Sequence, residues 1–349
     1  MYKAFGIVGL VIIFACSNSS KQPDSKALVM LGKQLFYDVN LSYNQTKSCA
    51  TCHDPKFAFT DSYKRSIGLY GDLHQRNSKP LFNLQQQYYF TAADSTLHTL
   101  EQQMNKPLYT NHPPELGWYH RQTQLVQRLQ QIEVYNTLYN NAYKQPIANM
   151  QLPQINTAIA AFILTIKSYS TAYDSYIGGN TNALTANEIA GLQLFTSSKT
   201  NCSQCHGGSN FNQPTVRDNN GNTLNYYNTG LYNIDGMGSY PTYDIGLLQL
   251  TNNAMDMGKY KVPTLRNLQY TAPYYHDGSE PTLTQVIANY NQGGRVIAKG
   301  INKGNGTTNK HKHLLIKPLY LTQLEQQQLV AFLYTLTDST LVNNKEYAK

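Results

Sequence analysis

The chain has 349 residues, of which 41% are hydrophobic and 14% are charged, and its formal net charge is +8. A chain of this length exceeds the usual size of one hydrophobic core, which predicts two domains of roughly 150 residues each. Its Lys and Arg residues form no cluster of the kind that follows a phosphate backbone, so we do not expect nucleic acid as a partner.

The first residues have the pattern of an export signal. Lys3 precedes an apolar run over 5–15, and a helix of that length reaches about 16 Å, too short for a bilayer core of about 30 Å. The run ends in a small residue followed by Cys16, which resembles a bacterial lipobox. We expect a signal peptide over 1–15, a lipidated tether over 16–26, and a periplasmic protein that touches a bacterial membrane only through this anchor. An ordinary signal peptide with an incidental cysteine is the alternative.

The four remaining cysteines form two CxxC pairs, each followed directly by histidine, at residues 49–53 and 202–206. Two thiols three positions apart reach the two vinyl groups of a haem, and the adjacent imidazole reaches the iron. We therefore expect two c-type haems. They would be attached through Cys49, Cys52, Cys202 and Cys205, with His53 and His206 as the proximal ligands.

CxxC pairs also occur in zinc sites and in thioredoxin-like redox proteins. A zinc site needs two further Cys or His ligands at regular spacing, and these are not evident in the sequence. A thioredoxin-like pair needs a βαβ setting, which the sequence does not indicate. Covalent haem is therefore the preferred interpretation of both motifs.

One helical pattern occurs twice along the chain. Residues 32–36 (GKQLF) precede the first CxxCH motif, and residues 191–195 (GLQLF) precede the second. Two similar apolar segments, 160–166 and 330–336, close the two copies. This repetition predicts the duplication of one small helical module.

A turn-rich stretch at 178–182 separates the two copies, and Thr185 followed by Glu188 predicts a capped helix just after it. Residues 207–261 are rich in Asn, Gly, Asp and Tyr and predict long loops. The predicted fold is mainly α, with two cytochrome c-like haem domains in tandem and long irregular loops. The N-terminal domain is expected over 27–180 and the C-terminal domain over 181–349.

Spacing alone does not determine the sixth ligand of either iron. A strong ligand on both irons would make an electron carrier, whereas an open position would allow oxygen or peroxide chemistry. The candidates for the second haem are Met237, Met255, Met257, His276 and Tyr290. The histidines downstream of the first motif are His74, His98, His112 and His120. Nothing in the sequence requires any of them to bind the first iron.

The segments KVPTLRN at 261–267 and TAPYYHDG at 271–278 resemble the bacterial dihaem cytochrome c peroxidase/MauG family. The resemblance runs from about residue 27 to residue 338 and keeps both haem motifs in family order. It implies a low-potential peroxidatic haem on His53 in the N-terminal domain. It also implies a higher-potential electron-transfer haem on His206 in the C-terminal domain.

The resemblance also bears on the sixth ligands. Many members ligate the second haem through a Met that follows the His of the His-Asp-Gly motif by fourteen residues, and here that position is Tyr290. Tyrosine is the MauG-like choice, and we expect it to bind the iron; packing within a helix is the alternative. The removable distal His of the first haem falls at Leu69, which implies an open first haem. His74 is an alternative ligand there, and otherwise an exposed loop histidine.

Two further sites follow from the resemblance. The peroxide pocket of the family uses a Gln and a Glu, which match Gln103 and Glu115. A carboxylate in a dry pocket, with its pKa raised towards neutrality, can take a proton from one peroxide oxygen and return one to the other; a solvated loop acid is the alternative.

The calcium site of the family matches Asn77, Thr271 and Pro273 and would hold one Ca²⁺, with an Asn capping a turn as the alternative.

A tryptophan is missing where the family places one between the haems. The corresponding segment contains Tyr88 and Tyr89, and the only tryptophan of the chain is Trp118. Either tyrosine, or direct transfer between haem propionate edges, is the expected route for electrons.

The leading interpretation is a cytochrome-c peroxidase-like oxidoreductase of the EC 1.11.1.5 class. It would reduce H₂O₂ with electrons from a small redox protein such as a cytochrome c or a cupredoxin. A MauG-like oxidase that uses peroxide equivalents to modify a partner protein is the second interpretation, and a non-enzymatic dihaem electron carrier is the third. Members of the family often dimerise, so the resemblance adds a homodimer as an expectation.

Overall fold

The structure is a computed structural model that describes residues 23–215 and 225–349. The predicted signal peptide and the lipidation site Cys16 lie outside these residues, so both stay predictions. Within the described ranges, no helix is long and apolar enough to cross a membrane.

Helices account for most of the regular structure. The α-helices are α1 (Ser25–Tyr37), α2 (Cys49–Cys52), α3 (Leu100–Tyr109), α4 (Gln122–Gln130), α5 (Glu133–Tyr143), α6 (Leu152–Ile163), α7 (Ala172–Ile177), α8 (Ala186–Thr196), α9 (Cys202–Cys205), α10 (Leu248–Thr251), α11 (Leu283–Gln292), α12 (Gln323–Tyr334) and α13 (Ser339–Val342). Short 3₁₀ turns lie at Val39–Leu41, Pro55–Phe57, Leu84–Gln86, Ile147–Asn149, Ala254–Asp256, Gly306–Thr308 and Lys345–Tyr347.

Within residues 23–215 and 225–349, sheet is limited to two antiparallel pairs of two-residue strands. They are β1 (Tyr226–Tyr227) with β2 (Tyr260–Lys261), and β3 (Val296–Ile297) with β4 (Gly304–Asn305). The prediction of a mainly α fold is therefore confirmed for the residues that the structure describes.

The two copies of the repeated sequence form the same helix pair. Helix α1 packs on α6, and α8 packs on α12. A Cβ atom at Gly32 would lie 1.8 Å from the carbonyl oxygen of Ala158, and one at Gly191 would lie 1.9 Å from that of Gln328. Each pair therefore crosses at a point where only glycine fits, because any side chain would overlap the backbone of the opposite helix.

Each helix crossing is lined by three phenylalanine rings. The sets are Phe36, Phe59 and Phe162 at the first crossing, and Phe195, Phe211 and Phe332 at the second. Ring centroids within these sets lie 5.1 to 6.2 Å apart in edge-on or tilted arrangements, which is the favoured geometry of aromatic pairs. The duplicated sequence thus folds into duplicated packing.

Helix α8 begins as the sequence predicted. The Thr185 hydroxyl accepts a hydrogen bond from the Glu188 backbone N–H, and the Glu188 carboxylate accepts one from the Thr185 backbone N–H at 2.7 Å. Its partner α12 carries the same capping box at Thr322 and Glu325. Both boxes satisfy backbone donors that would otherwise be unpaired at the helix start.

The end of the chain returns to the first helix pair. Leu341 and Tyr347 are buried in the same core cluster as α1 and α6, and the Tyr347 hydroxyl donates to the Thr165 carbonyl at 2.9 Å. The Tyr347 ring also packs edge-on against Phe59. The predicted domain boundary at residue 180 therefore does not separate the two cores completely, because the last residues of the chain belong to the N-terminal core.

Replacing Gly32 by alanine is expected to destabilise the protein. The added Cβ meets a backbone oxygen that cannot rotate away, and overpacking of this kind costs about 1–3 kcal/mol. The better helix propensity of alanine offsets at most about 1 kcal/mol, so we expect a net loss in the free energy of unfolding, measured by urea titration of the haem-loaded protein. The control is Met30→Ala, a change at an exposed position of the same helix. Equal stability of the Gly32 variant and the wild type would contradict the close crossing.

Candidate functional site

The two CxxCH motifs lie at the walls of two cavities. Cys49, Cys52 and His53 line the first, which has a volume of about 590 Å³. The second has a volume of about 290 Å³ and is lined in the same way by the cysteines and histidine of the second motif. In both motifs the cysteines begin and end a single helical turn, α2 or α9, so their thiols lie on one face of it.

The Nδ1 atom of each motif histidine lies within hydrogen-bond distance of a backbone carbonyl. The Nδ1 atom of His53 lies 2.9 Å from the carbonyl oxygen of Phe59, and that of His206 lies 2.8 Å from the carbonyl oxygen of Phe211. Since only an N–H can donate to a carbonyl, this geometry assigns the proton to Nδ1 and leaves the Nε2 lone pair free. Metal-bound histidines are generally oriented by such a second hydrogen bond.

The two carbonyls owe their direction to an uncommon backbone conformation. Phe59 has a φ angle of 62° and Phe211 one of 51°, so both lie in the left-handed region that favours glycine. The rings of both residues are anchored in the helix crossings, which holds the backbone in place. Burial lowers the pKa of His53 and of His206, so both imidazoles are neutral, as metal binding requires.

Burial raises the pKa of all four motif thiols. Burial raises the pKa of Cys49 to about 12 and the pKa values of Cys52 and Cys205 to about 11, and the structure pairs none of the four motif cysteines in a disulfide. No group of three or more His, Cys, Asp and Glu side chains within residues 23–215 and 225–349 is arranged to hold a metal ion. Each motif therefore offers two thiols and one imidazole, the donor set of a covalently bound haem.

The predicted peroxide-pocket residues both line the first cavity. Burial raises the pKa of Glu115 to about 7, although 42% of its side-chain surface is open. The two facts agree because protein atoms surround the carboxyl group and its open side faces the cavity. The Gln103 side-chain oxygen accepts a hydrogen bond of 2.6 Å from the Thr91 hydroxyl, so its amide N–H groups are available to donate. Its role in the peroxide pocket stays a prediction, and so does the alternative of a solvated loop acid.

His74 lies in the first cavity next to Glu115, and its prediction as an exposed loop histidine is wrong. Its side chain is only 14% exposed, and its Nδ1 atom lies 3.9 Å from a carboxylate oxygen of Glu115. The backbone N–H of His74 donates to the Ser66 carbonyl at 2.8 Å, which folds the loop inward. Burial lowers the pKa of His74, so the side chain is neutral.

The other three histidines of this region differ in their positions. His112 lines the rim of the first cavity and is exposed. The ring of His98 packs against Tyr88 and Tyr89, and the ring of His120 packs against the adjacent Tyr119. Neither of these last two lines the cavity.

Leu69 points away from the first cavity. It is buried, and its side chain packs so closely over Gly117 that a Cβ there would lie 2.4 Å from a Leu69 methyl carbon. Its backbone N–H donates to the Pro114 carbonyl at 2.9 Å. The position at which the family resemblance places a removable ligand therefore supplies none here.

Two of the five candidate ligands for the second haem line the second cavity. Tyr290, on α11, is one of them, and burial raises its pKa well above the usual value. His276 is the other, but its ring stacks on Tyr260 with centroids 3.7 Å apart and its Nε2 lies 3.8 Å from an Asp244 carboxylate oxygen. The His276 ring is thus held by stacking beside a carboxylate, and both His276 and Tyr290 line the second cavity.

The three methionine candidates lie elsewhere. Met237 and Met255 are exposed, and Met257 packs against the small core cluster formed by Leu231, Tyr232 and Tyr240. None of them lines the second cavity.

The predicted calcium ligands come together at the wall of the second cavity. Asn77, Thr271 and Pro273 all line it. The Asn77 amide nitrogen donates to the Tyr63 carbonyl at 2.8 Å, which turns its side-chain oxygen away from that carbonyl and leaves it free to accept. This oxygen and two backbone carbonyls would be a ligand set suited to calcium.

Comparison with known proteins decides the family. The family model described as di-haem cytochrome c peroxidase matches residues 26–182. The cytochrome-c peroxidase IdrP2 of Pseudomonas sp. (strain SCT) is 31% identical over 336 residues, covering 90% of this chain and 83% of the relative. This chain belongs to the di-haem cytochrome c peroxidase family. The methylamine utilization protein MauG of Methylorubrum extorquens is 29% identical, covering 88% of this chain and 77% of the relative.

Solved structures agree with this assignment. A MauG-like protein associated with microbial copper homeostasis has a TM-score of 0.87 and 35% identity, with 97% of this chain and 99% of that chain covered. The diheme peroxidase BthA of Burkholderia thailandensis has a TM-score of 0.68 at 22% identity, with coverage of 92% and 88%, and shows that the fold is shared. As a member of this family the chain is a peroxidase oxidoreductase, and membership implies two c-type haems.

The wall between the two cavities contains the groups that a pair of haems would need. The residues that line both cavities are 76–80, Ala92 and 261–264. Arg76 is neutralised by Asp244, at 2.7 and 2.8 Å. Among the described residues, however, no carboxylate lies within ion-pair distance of Lys79 or Lys261. Burial lowers the pKa of Lys261 to about 8 and that of Lys79 well below its usual value.

Half-buried amines without a nearby anion lose part of their hydration, and the propionate groups of haem would supply an anion for them. The residues present therefore fit two haems on either side of this wall. Sequence reasoning missed Lys79 and Lys261, although Lys261 opens the KVPTLRN motif. Tyr88 and Tyr89, which were expected between the haems, line neither cavity, so the structure does not place them on the shared wall.

The stability of the protein should depend on the ionisation of Glu115. Its folded pKa of about 7 lies above the ordinary value of 4.5, so the folded state binds more protons in this interval and stability falls as pH rises through it. Glu115→Gln removes this contribution. We expect the melting temperature of the variant, relative to the wild type, to increase from pH 4.5 to pH 7 and then to level off. The control is Glu133→Gln at the exposed start of α5, and a difference that is independent of pH for Glu115→Gln would refute the raised pKa.

Proposed function

We propose that this protein reduces H₂O₂ to water at the haem held by His53, with electrons delivered through the haem held by His206. The donor would be a small redox protein such as a cytochrome c or a cupredoxin. The observation that carries the proposal is Glu115, a carboxyl group with a pKa of about 7 inside the first cavity. When bound, the haems supply the capacity to accept and donate single electrons, two of which, with two protons, convert H₂O₂ into two molecules of water.

The residues of the first cavity are suited to proton transfer. At a pKa of about 7, the Glu115 carboxylate can take a proton from one peroxide oxygen and return one to the other, which leaves as water. The amide N–H groups of Gln103 can hold the peroxide while this happens, because Thr91 fixes the oxygen of the same amide. Neutral His74, at 3.9 Å, leaves the carboxyl group without a cation that would lower its pKa.

The distal ligands would distinguish the two haems. Leu69 supplies no ligand to the first, which supports an open position for peroxide. Tyr290 would hold the second from α11, and an anionic phenolate favours ferric iron and a lower potential than methionine gives. A non-enzymatic carrier would need a strong ligand on both sides; Leu69 offers none, so His74, which lines the first cavity, would have to supply it.

A second candidate function is a MauG-like oxidase that modifies a partner protein with peroxide equivalents. Two observations favour it: Tyr290 in place of methionine, and the 35% identity to the MauG-like protein associated with microbial copper homeostasis. The stoichiometry of peroxide consumption separates the functions. A peroxidase oxidises two equivalents of a one-electron donor for each H₂O₂ consumed, whereas the oxidase would consume H₂O₂ while oxidising little of that donor.

Glu115→Gln should lower the turnover of H₂O₂ with a reduced cytochrome c by about 10²-fold or more, because the amide cannot carry the proton. Turnover is measured by donor oxidation at saturating peroxide. The matched control is Glu101→Gln in α3, an acid outside the cavity lining, which should retain wild-type turnover. Full activity of Glu115→Gln would eliminate this residue as the proton carrier.

Tyr290→Phe should change the ferric absorption spectrum of the second haem and raise its reduction potential, because an anionic ligand is lost. Tyr275→Phe serves as the control, since Tyr275 lines the same cavity and is not expected to bind the iron. An unchanged spectrum and potential in Tyr290→Phe would show that this tyrosine only packs against the haem.

Calcium should bind at Asn77, Thr271 and Pro273 and support activity. We expect EGTA to reduce peroxide turnover and added Ca²⁺ to restore it, and we expect Asn77→Ala to bind Ca²⁺ more weakly in calorimetry. Asn180→Ala, at an exposed turn, is the control. The site is refuted if the wild type binds no Ca²⁺, or if both variants bind it equally well.

A further inference from the structure

A long stretch of the C-terminal half carries positive charge only. Residues 281–324 contain six Lys and Arg residues and no Asp or Glu. These cations are Arg295, Lys299, Lys303, Lys310, Lys312 and Lys317. The acids that border the stretch are both engaged, Glu280 with Arg295 and Glu325 with Lys199. The stretch therefore has an unbalanced positive charge.

Two of the six cations are structural. Arg295 is buried and pairs with Glu280 at 3.3 Å. The Lys312 ammonium donates to the carbonyl of Gly293 at 2.6 Å and to that of Thr307. The other four are Lys299, Lys303, Lys310 and Lys317; their side chains are exposed, and none has a carboxylate within ion-pair distance in the described parts of the chain.

Backbone pairing joins the segments that carry Lys299, Lys303 and Lys310, and Lys317 lies next to Gly293, just before the hairpin, where a Cβ would lie 2.8 Å from the Lys317 carbonyl carbon. Lys299 and Lys303 lie in the loop of the β3–β4 hairpin. The following turn is tied to the hairpin, because the Gly306 N–H donates to the Arg295 carbonyl at 2.8 Å. The Asn309 amide then donates to the Tyr232 carbonyl at 2.6 Å, which fixes the start of the segment that carries Lys310.

Apolar side chains stand exposed among these cations. Leu314 is 80% exposed and Tyr320 is 83% exposed. Leu315, Ile316 and Lys317 directly follow Leu314 and line the second cavity. A single layer of chain therefore separates this exposed surface from the cavity that contains His206.

We propose that this surface, made of Lys299, Lys303, Lys310, Leu314, Lys317 and Tyr320, docks a small acidic redox protein that delivers electrons to the haem on His206. The inference rests on the proposed peroxidase function and names the electron-input surface and the charge of the partner. Apolar contacts inside a charged rim are the usual composition of such interfaces, and opposite charge speeds the encounter of the two proteins. Each docking event moves one electron, so the partner is oxidised once and two events serve one H₂O₂.

An anionic membrane surface would also be attracted by exposed lysines and apolar side chains. The position of the surface favours a redox protein, because it lies against the second cavity, where an electron must arrive. Membrane binding would gain nothing from that position.

One cytochrome c in two charge states provides the test. Its native form is basic, and succinylation of its lysines makes it acidic without replacing its haem. We expect the reduced acidic form to reduce the haem-loaded enzyme at least about tenfold faster at 10 mM than at 500 mM salt in stopped-flow measurements, because salt screens the attraction. The basic form should be slower at low salt and should speed up as salt is added.

Charge-reversed variants locate the surface. Lys303→Glu combined with Lys310→Glu should slow reduction by the acidic donor about tenfold or more at low salt. Lys26→Glu, at the exposed start of α1, reverses a charge elsewhere and should leave that rate unchanged. Wild-type turnover with ascorbate and a neutral mediator tests the peroxidase function separately, because this route needs no docking.

The outcomes are distinct. No turnover with ascorbate would reject the proposed function itself. Turnover with ascorbate, but equal rates for the two charge forms or no effect of the double variant, would overturn the docking surface. If the double variant abolished sedimentation with phosphatidylserine vesicles while donor rates stayed unchanged, the surface would belong to a membrane contact and the proposal would be wrong.

Discussion

The close crossing of two helices at a glycine is the constraint on which each haem site depends. At Gly32 and at Gly191 the backbones meet so closely that no Cβ fits. Because the helices touch there, three phenylalanine rings pack around each crossing, and one of these residues presents the carbonyl that holds the motif histidine. A change of about one ångström in helix spacing would therefore move the carbonyl, the imidazole and the iron position together.

The two sites share this proximal construction and differ on the opposite side. The first cavity contains Glu115, Gln103 and His74 and has no ligand at Leu69. The second presents Tyr290 in a largely apolar setting. The helix crossing sets the side of each cavity that carries the motif histidine. Loops and α11 set the opposite side, and the two proposed roles would depend on that difference.

The sequence predicted the features that local pattern determines. The helices that carry Gly32 and Gly191 and the Thr185–Glu188 cap were predicted correctly, because each depends on residues close together in the chain. Gln103 and Glu115 were found through family resemblance, and the structure brings both to one cavity. Their chemical roles remain proposals, since proximity alone does not measure reactivity.

What the sequence missed depends on distant contacts. His74 was taken for an exposed loop residue, but the hydrogen bond from its backbone to Ser66 folds the loop inward. Lys79 and Lys261 lie far apart in the chain and become neighbours of both cavities only in the fold. Tyr347 similarly reaches the first core from the end of the chain. Hydrophobic periodicity in the sequence cannot predict such contacts, because they join segments that are separated by long loops.

The wall shared by the two cavities limits how such a protein can evolve. Residues 76–80 and 261–264 face both haem positions, so a mutation there that suits one site also alters the other. Gln103 on α3 and Tyr290 on α11 each face a single cavity. Substitutions at such one-sided positions could change one site without changing the other, so homologues adapted to different partners should differ there before they differ in the wall.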